Sequence, residues 1–185
     1  YHILTTSEEE DQLYEIRDGQ KIFRTEHQVN TLLEKVTLPP NAAVLDYGCG
    51  KASTLKALVE RSGGITPHVF DVGEQYRPFW AKFVRPEYQA VDCVPGEWAG
   101  KMDVVISFFA LEHVADPRAF VAEVNRLLKP GGTFYFLAPN LFANTADLVV
   151  ADHVNHFSES SLRRLLADGD FATRTVDDSA HHSAW

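Results

Sequence analysis

From residue 42 onward the chain alternates two hydrophobic patterns. Short apolar runs, "AAVLDY" (42–47), "ITPHVFDV" (65–72), "YQAVDC" (88–93), "MDVVISFF" (102–109), "TFYFLAP" (133–139) and "FATRTVDD" (171–178), read as strands. Between them, apolar residues recur every third or fourth position. "ASTLKALVERS" (52–62) and "FSESSLRRLLADGD" (157–170) read as helices, and "YRPFWAKFV" (76–84) as a short one. "DPRAFVAEVNRLLKPGG" (116–132) carries its own punctuation. Asp116 suits the N-cap and Pro117 the first helical position, Phe120, Val124, Leu127 and Leu128 share one face, and Lys129-Pro130-Gly131-Gly132 marks the stop. In the 157–170 helix Ser158 is the expected cap, with Phe157 stapled against Leu162.

Before residue 41 the pattern is helical only. "SEEEDQLYEI" (7–16) places acids where a first helical turn favours them, and "DGQ" (18–20) reads as a turn. "TEHQVNTLLEKV" (25–36) predicts a helix with Thr25 and Gln28 as a capping box and Val29, Leu32, Leu33 and Val36 on one face; "LPPN" (38–41) closes it. The expected organisation is an N-terminal helical cap over 1–40 and one globular unit over 41–185. Alternating strands and helices predict an α/β fold, a Rossmann-like, doubly wound, mostly parallel sheet with helices on both faces.

Composition narrows the function. A net charge of −9 argues against a broad nucleic-acid or anionic-membrane surface, so neither is expected as a partner. No apolar run is long enough to span a bilayer, and the N-terminus lacks the order of a signal peptide. Cys49 and Cys93 are too few for a disulfide framework, and they read as reduced thiols of a cytoplasmic protein. The chain opens on Tyr1 rather than Met and stops at Trp185 as "HHSAW" turns apolar, so it is read as a fragment.

The candidate chemistry begins at "VLDYGCGKAS" (44–53). A buried strand runs into Asp46 and then into two closely spaced glycines. In an open α/β sheet, ligands lie beyond the carboxyl ends of the strands, and the first strand-to-helix turn is the usual cradle. Gly48 and Gly50 would let backbone touch a ligand there. The third position of a dinucleotide fingerprint is Ser53, and a Walker loop is absent. Asp46 is unhelpful beside a pyrophosphate but suits a cation. Asp71 ends the second strand at about the separation where an acid meets ribose hydroxyls. Asp92 ends the third, where it can accept from an exocyclic amine. Together they describe a ligand with a cationic portion, a ribose and an amine-bearing base; a plain tight turn with solvated acids is the alternative.

These blocks resemble the class I S-adenosylmethionine-dependent methyltransferases, from about residue 42 to 178. "VLDYGCG" is similar to the first motif of that family, "VFDVG" to its second, and "VDC" to its adenine-side acid loop. "MDVVISFFALEHVADP" and "LLKPGGTFYFLAPN" resemble its fourth and fifth blocks. The third family glycine is Ala52 here. The family closes its sheet with an antiparallel hairpin of which one strand is readable, so the last strand is expected to be truncated. "DHVNHFSESSLRRLLADGDF" and "ALEHV" resemble the small-molecule branch, including sugar and natural-product methyltransferases. The resemblance implies S-adenosylmethionine as cofactor, S-adenosylhomocysteine as product and a small-molecule acceptor. It implies cofactor contacts from Asp46, Gly48, Cys49, Gly50, Asp71, Val72, Asp92, Cys93 (through its amide) and Phe108.

Methyl transfer from a sulfonium to an alcohol or carbon acid gains from a general base, and His is the natural type near neutral pH. His153 is the first candidate, then His156 and His113; a loop-fixing hydrogen bond is the alternative for His153, and anchoring of the loop after strand four is the alternative for Glu112-His113. The H-x-x-H spacing of His153 and His156 invites a metal reading. Zinc needs further ligands, the sequence shows none, and no metal is expected. An RNA or protein methyltransferase, or a catalytically silent scaffold, is the alternative function. The oligomeric state is not legible.

Overall fold

The computed structural model describes residues 13–182 and 184–185. Five parallel strands form the sheet: β3 (Ala43–Tyr47), β4 (Thr66–Asp71), β5 (Gln89–Val91), β6 (Met102–Phe108) and β7 (Leu128–Leu137). Their order is β5-β4-β3-β6-β7. The chain steps outward from β3 to β5, then crosses back to β6 on the other side of β3. The topological switch point therefore lies between β3 and β6, and a ligand site is expected at their carboxyl ends.

Period-two alternation sends β3 and β6 into two cores. Val44, Val104 and Ile106 join Val29 and Leu32 of α1 (Arg24–Lys35) and Leu55 and Leu58 of α2 (Ser53–Ser62). Leu45, Tyr47 and Val105 join Phe120, Val121 and Val124 of α4 (Pro117–Leu127) and Leu162 and Leu166 of α5 (Glu159–Asp168). A strand buried on both faces needs apolar residues at nearly every position, as "AVL" and "VVI" supply. The short α3 (Arg77–Trp80) adds the fully buried Trp80 to the first core.

The caps of α4 and α5 form as their sequences dictate. Asp116 accepts from the Arg118 and Ala119 amides, and Ser158 and Ser161 cap reciprocally. At the close of α5, Gly169 meets α4 so tightly that a Cβ there would lie 2.4 Å from Val121 Cγ1.

Four expectations are corrected. Of the helix over 7–16, residues 7–12 lie outside the described residues, and Leu13–Arg17 is strand β1, paired antiparallel with β2 (Gln20–Phe23). Asp18 (φ 51°) and Gly19 (φ 79°) make the two-residue, positive-φ turn that hairpins favour. The Thr25 capping box is absent: the hairpin delivers Phe23 to the N-cap, with no side-chain cap bond. Helix α4 ends at Leu127, as the Lys129–Gly132 stop implies, but the next strand starts at Leu128 rather than at Thr133, so these four residues lie within β7, where the Lys129 ammonium meets Asp103 at 2.7 Å. Finally, residues 171–178 form no strand. They run beside the edge of β7 over a cavity of about 300 Å³, lined in part by Phe134, Phe136, Leu166 and Val176. None of the expected cofactor residues borders it. No helix among the described residues is long and apolar enough to cross a membrane.

Candidate active site

The turn after β3 is clamped from several sides. Gly48 has φ 80°, and a Cβ on it would lie 2.7 Å from the Ala110 Cβ, so a side chain would collide with the loop after β6. The Gly48 and Cys49 amides donate to the Phe70 carbonyl at 2.9 and 3.1 Å. Asp71 accepts from the Gly50 amide at 2.8 Å and from the Gly73 amide at 2.9 Å, through different oxygens. The Trp80 indole donates to the Gly50 carbonyl at 2.7 Å. Ala52, at the family's third glycine position, sits in the left-handed region (φ 57°) as N-cap of α2. The sequence therefore keeps the glycine conformation without the glycine, at a cost of roughly 1–2 kcal/mol.

Asp46, at the end of β3, is buried. Burial first, and then the neighbouring Asp71 charge, push its pKa up to about 8. An acid held in this way favours a cationic partner. Asp71 spends one lone pair of each oxygen on the turn, and each oxygen retains another for a ribose hydroxyl. The Cys49 thiol is pushed up by burial, then by Asp46 and Asp71, and is therefore no thiolate nucleophile. Val72 is 73% exposed at the tip of β4. Asp92 (φ 64°) and Cys93 are exposed beyond β5. The Cys93 amide, expected to face adenine, already donates to the Val91 carbonyl at 2.7 Å, which leaves the Asp92 carboxylate as the adenine-side acceptor. Phe108 ends β6 with its ring 6.0 Å from that of Tyr135. The residues expected to bind cofactor thus gather at the carboxyl ends of β3 to β6. A buried acid tuned for a cation and a side-chain-free turn fit S-adenosylmethionine.

The three histidine candidates also converge. Asp147, 2% exposed on a 3₁₀ turn, binds His153 Nδ1 at 2.5 Å through one carboxylate oxygen and His156 Nδ1 at 2.9 Å through the other. His113 Nδ1 lies 2.9 Å from the Asp152 carbonyl, and its ring meets that of His153 edge-on at 4.7 Å. Glu112 is fully buried in the 3₁₀ turn Leu111–His113, directly after Ala110. Burial raises its pKa to about 7; its own amide and Arg24 oppose the shift, and Asp147 and Asp152 add to it.

Sequence reasoning named the histidines but missed the group that joins them. Asp147 lies in an irregular loop where no periodicity marks it, and its spacing to His153 and His156 was the sole signal. Trp80, read as part of the short helix over 76–84, also braces the cofactor turn. Glu112, read as a loop anchor, lies within the histidine cluster.

This sheet order, glycine turn and set of strand-end acids define a class I methyltransferase. Residues 18–176 match the family model described as a methyltransferase domain, and the chain belongs to that S-adenosylmethionine-dependent family. Among curated relatives, the chain is 29% identical over 134 residues to a ubiquinone biosynthesis O-methyltransferase of Azotobacter vinelandii, covering 66% of this chain and 57% of that protein. It is 32% identical over 106 residues to one of Xanthomonas campestris pv. campestris, covering 55% and 44%. The chain thus spans about half the length of the curated relatives it matches. Among solved structures, a methyltransferase bound to the Trm112 activator of Haloferax volcanii superposes with a TM-score of 0.66 at 22% identity, over 79% of this chain and 68% of that one. An S-adenosylmethionine-dependent methyltransferase of Mesorhizobium loti gives 0.66 at 16% identity, over 82% and 84%. At these identities the likeness establishes the fold.

Proposed function

We propose that this protein transfers the methyl group of S-adenosylmethionine to an oxygen of a small, hydroxylated acceptor. The observation that carries the reading is the buried Asp147 carboxylate, which fixes two imidazoles beside the turn that packs on Gly48. The curated relatives named as ubiquinone biosynthesis O-methyltransferases support an oxygen acceptor. The acidic balance of the chain supports a small molecule rather than RNA.

When bound, the cofactor supplies the electrophilic methyl group. Asp46 would hold its ammonium, Asp71 the ribose hydroxyls, Asp92 the adenine amine, and Val72 and Phe108 apolar surface. The protein's part is to orient the reactants and draw a proton from the acceptor hydroxyl. A carboxylate on Nδ1 puts the proton there and leaves Nε2 basic, so Asp147 prepares His153 and His156 for that role. The alignment needed is in-line, and a rigid turn braced by Asp71 and Trp80 provides the fixed side of it.

The test is S-adenosylhomocysteine release in the presence of a panel of phenols, catechols and sugars, with an unstructured RNA as comparison. Turnover with a hydroxylated small molecule that drops at least a hundredfold in His153→Ala/His156→Ala supports the reading. Turnover on RNA alone, or cofactor binding without turnover on anything, rejects it.

A further inference from the structure

We propose that Glu112, His113 and His153 form a binding site for one divalent transition-metal ion of the zinc type, on the acceptor side of the methyl-transfer cleft. The site deepens the methyl-transfer reading and rests on it only for what the ion would do. The ion site itself follows from three observations.

The first is convergence. One donor atom from each of the three residues lies within 4.8 Å of the others. Zinc holds imidazole nitrogen and carboxylate oxygen at about 2.0–2.2 Å, which brings its ligand atoms to roughly 3.3 Å apart. His113 Nε2 and Glu112 Oε1 stand at 3.9 Å, too far for a hydrogen bond and within a small side-chain adjustment of that spacing.

The second is the state of Glu112. Its carboxylate is fully buried, and neither oxygen accepts a hydrogen bond from another described residue. Buried polar groups are nearly always satisfied, and an unsatisfied carboxylate needs a particular reason. Asp147 and Asp152 add their negative charge close by, and neutral imidazoles offset none of it.

The third is the orientation of the imidazoles. Metal-bound histidines usually donate the other ring N–H to a carboxylate or a backbone carbonyl, which fixes the tautomer and aims the free lone pair. Both arrangements occur here: Asp147 on His153 Nδ1 and the Asp152 carbonyl on His113 Nδ1. Each bond places the lone pair on Nε2. Two imidazoles and one carboxylate suit zinc, and catalytic zinc sites keep a fourth position open. The acceptor oxygen would take that position. His156, held by the second oxygen of Asp147, stands outside the triad; with an ion bound, it alone receives the proton, because the Nε2 lone pair of His153 is then a ligand. The sequence led to no expected metal; the proposed ligands pair His153 with Glu112 and His113 rather than with His156, and come from two loops distant in sequence.

The test is calorimetric titration of the chelator-treated chain with ZnCl₂, with CoCl₂ as a spectroscopic probe and S-adenosylhomocysteine binding followed separately. One ion per chain is expected. Affinity should fall at least tenfold in Glu112→Gln and in His153→Ala, and tenfold or more in Asp147→Ala, which removes the orienting bond without removing a ligand. Zinc should raise the melting temperature of the wild type and not of Glu112→Gln. If His153→Ala does not fold, His113→Gln tests the same site. Zinc binding that persists unchanged in Glu112→Gln would mean adventitious binding to other histidines, and it overturns the proposal, as does no binding at all. Loss of cofactor binding with zinc binding intact would instead reject the methyl-transfer reading and leave the ion site standing.

Discussion

At the scale of single residues, Asp46 carries the sharpest consequence. Its ordinary pKa is 3.8 and its folded value is about 8. Between those limits the folded chain holds a proton that the unfolded chain has lost, so Asp46 makes the cofactor-free protein less stable as pH rises from about 4 to about 8. Asp46→Asn removes that slope. It should raise stability at pH 8 by an amount on the order of a few kcal/mol, read from urea midpoints at pH 5 and pH 8, while weakening S-adenosylmethionine binding. The cysteines offer a second check. Cys93 is exposed, whereas the Cys49 thiol is held protonated by burial and two acids. Iodoacetamide should label Cys93 many times faster than Cys49, and S-adenosylhomocysteine should slow the Cys93 reaction. A faster Cys49 would overturn the described turn. Gly48→Ala should cost about 1–3 kcal/mol and abolish detectable cofactor binding, because the new methyl group lands on Ala110.

At the scale of elements, the two ends of the described chain meet in an aromatic cluster. The Tyr14 ring of β1 stacks on His27 of α1 at 3.7 Å and on His182 at 4.6 Å, and His181 lies 5.0 Å from it. His27 Nε2 reaches the Ala180 carbonyl, and Phe109, with Arg24 over its face, meets His181 edge-on. Burial, then the charges of His27, Arg24 and His182, lower His181 to about 4. The unfolded chain binds that proton near 6.5, so this contribution is complete above 6.5 and is lost as pH falls towards 4. Amides of 180–182 and of the hairpin should exchange faster at pH 4.5 than intrinsic rates explain, and His181→Phe should suppress the change. None of this packing was legible beforehand. The strands and helices from 42 to 168 were, because period two and period 3.6 record burial directly, and Asp116 and Ser158 mark their helices. The acids of "SEEEDQLYEI" imitate a first helical turn, yet Leu13–Arg17 pairs with β2 through a turn whose residues, Asp18 and Gly19, had been recognised. "FATRTV" has the alternation of a strand and lacks a ladder, since alternation reports a half-buried face and not a partner. In the same way Asp46, Asp71 and Asp92 stood out because strand ends are where side chains meet ligands. Asp147 and Glu112 acquire meaning only when loops after β6 and β7 come together.

At the scale of the whole molecule, folding and cofactor binding share one proton. The fold buries Asp46 before any ligand arrives, and the cost of charging it there falls on the cofactor-free state. S-adenosylmethionine brings an α-amino group, whose ordinary pKa is about 7.7–8.0. At pH 6.5 the free amine is an ammonium, while Asp46, with its pKa near 8, is still protonated. Forming the ion pair then requires Asp46 to release its proton. Affinity should therefore rise with pH, by up to about tenfold per unit between pH 6 and 7.5, and level off near 8 as the amine begins to lose its own proton. Calorimetry at pH 6.5 in two buffers of different ionisation enthalpy should register close to one proton released per cofactor bound. In Asp46→Asn both the pH dependence and the proton release should vanish, with a weaker but constant affinity left. Proton release that survives the substitution would assign the linkage to another group and would remove Asp46 from the ammonium site.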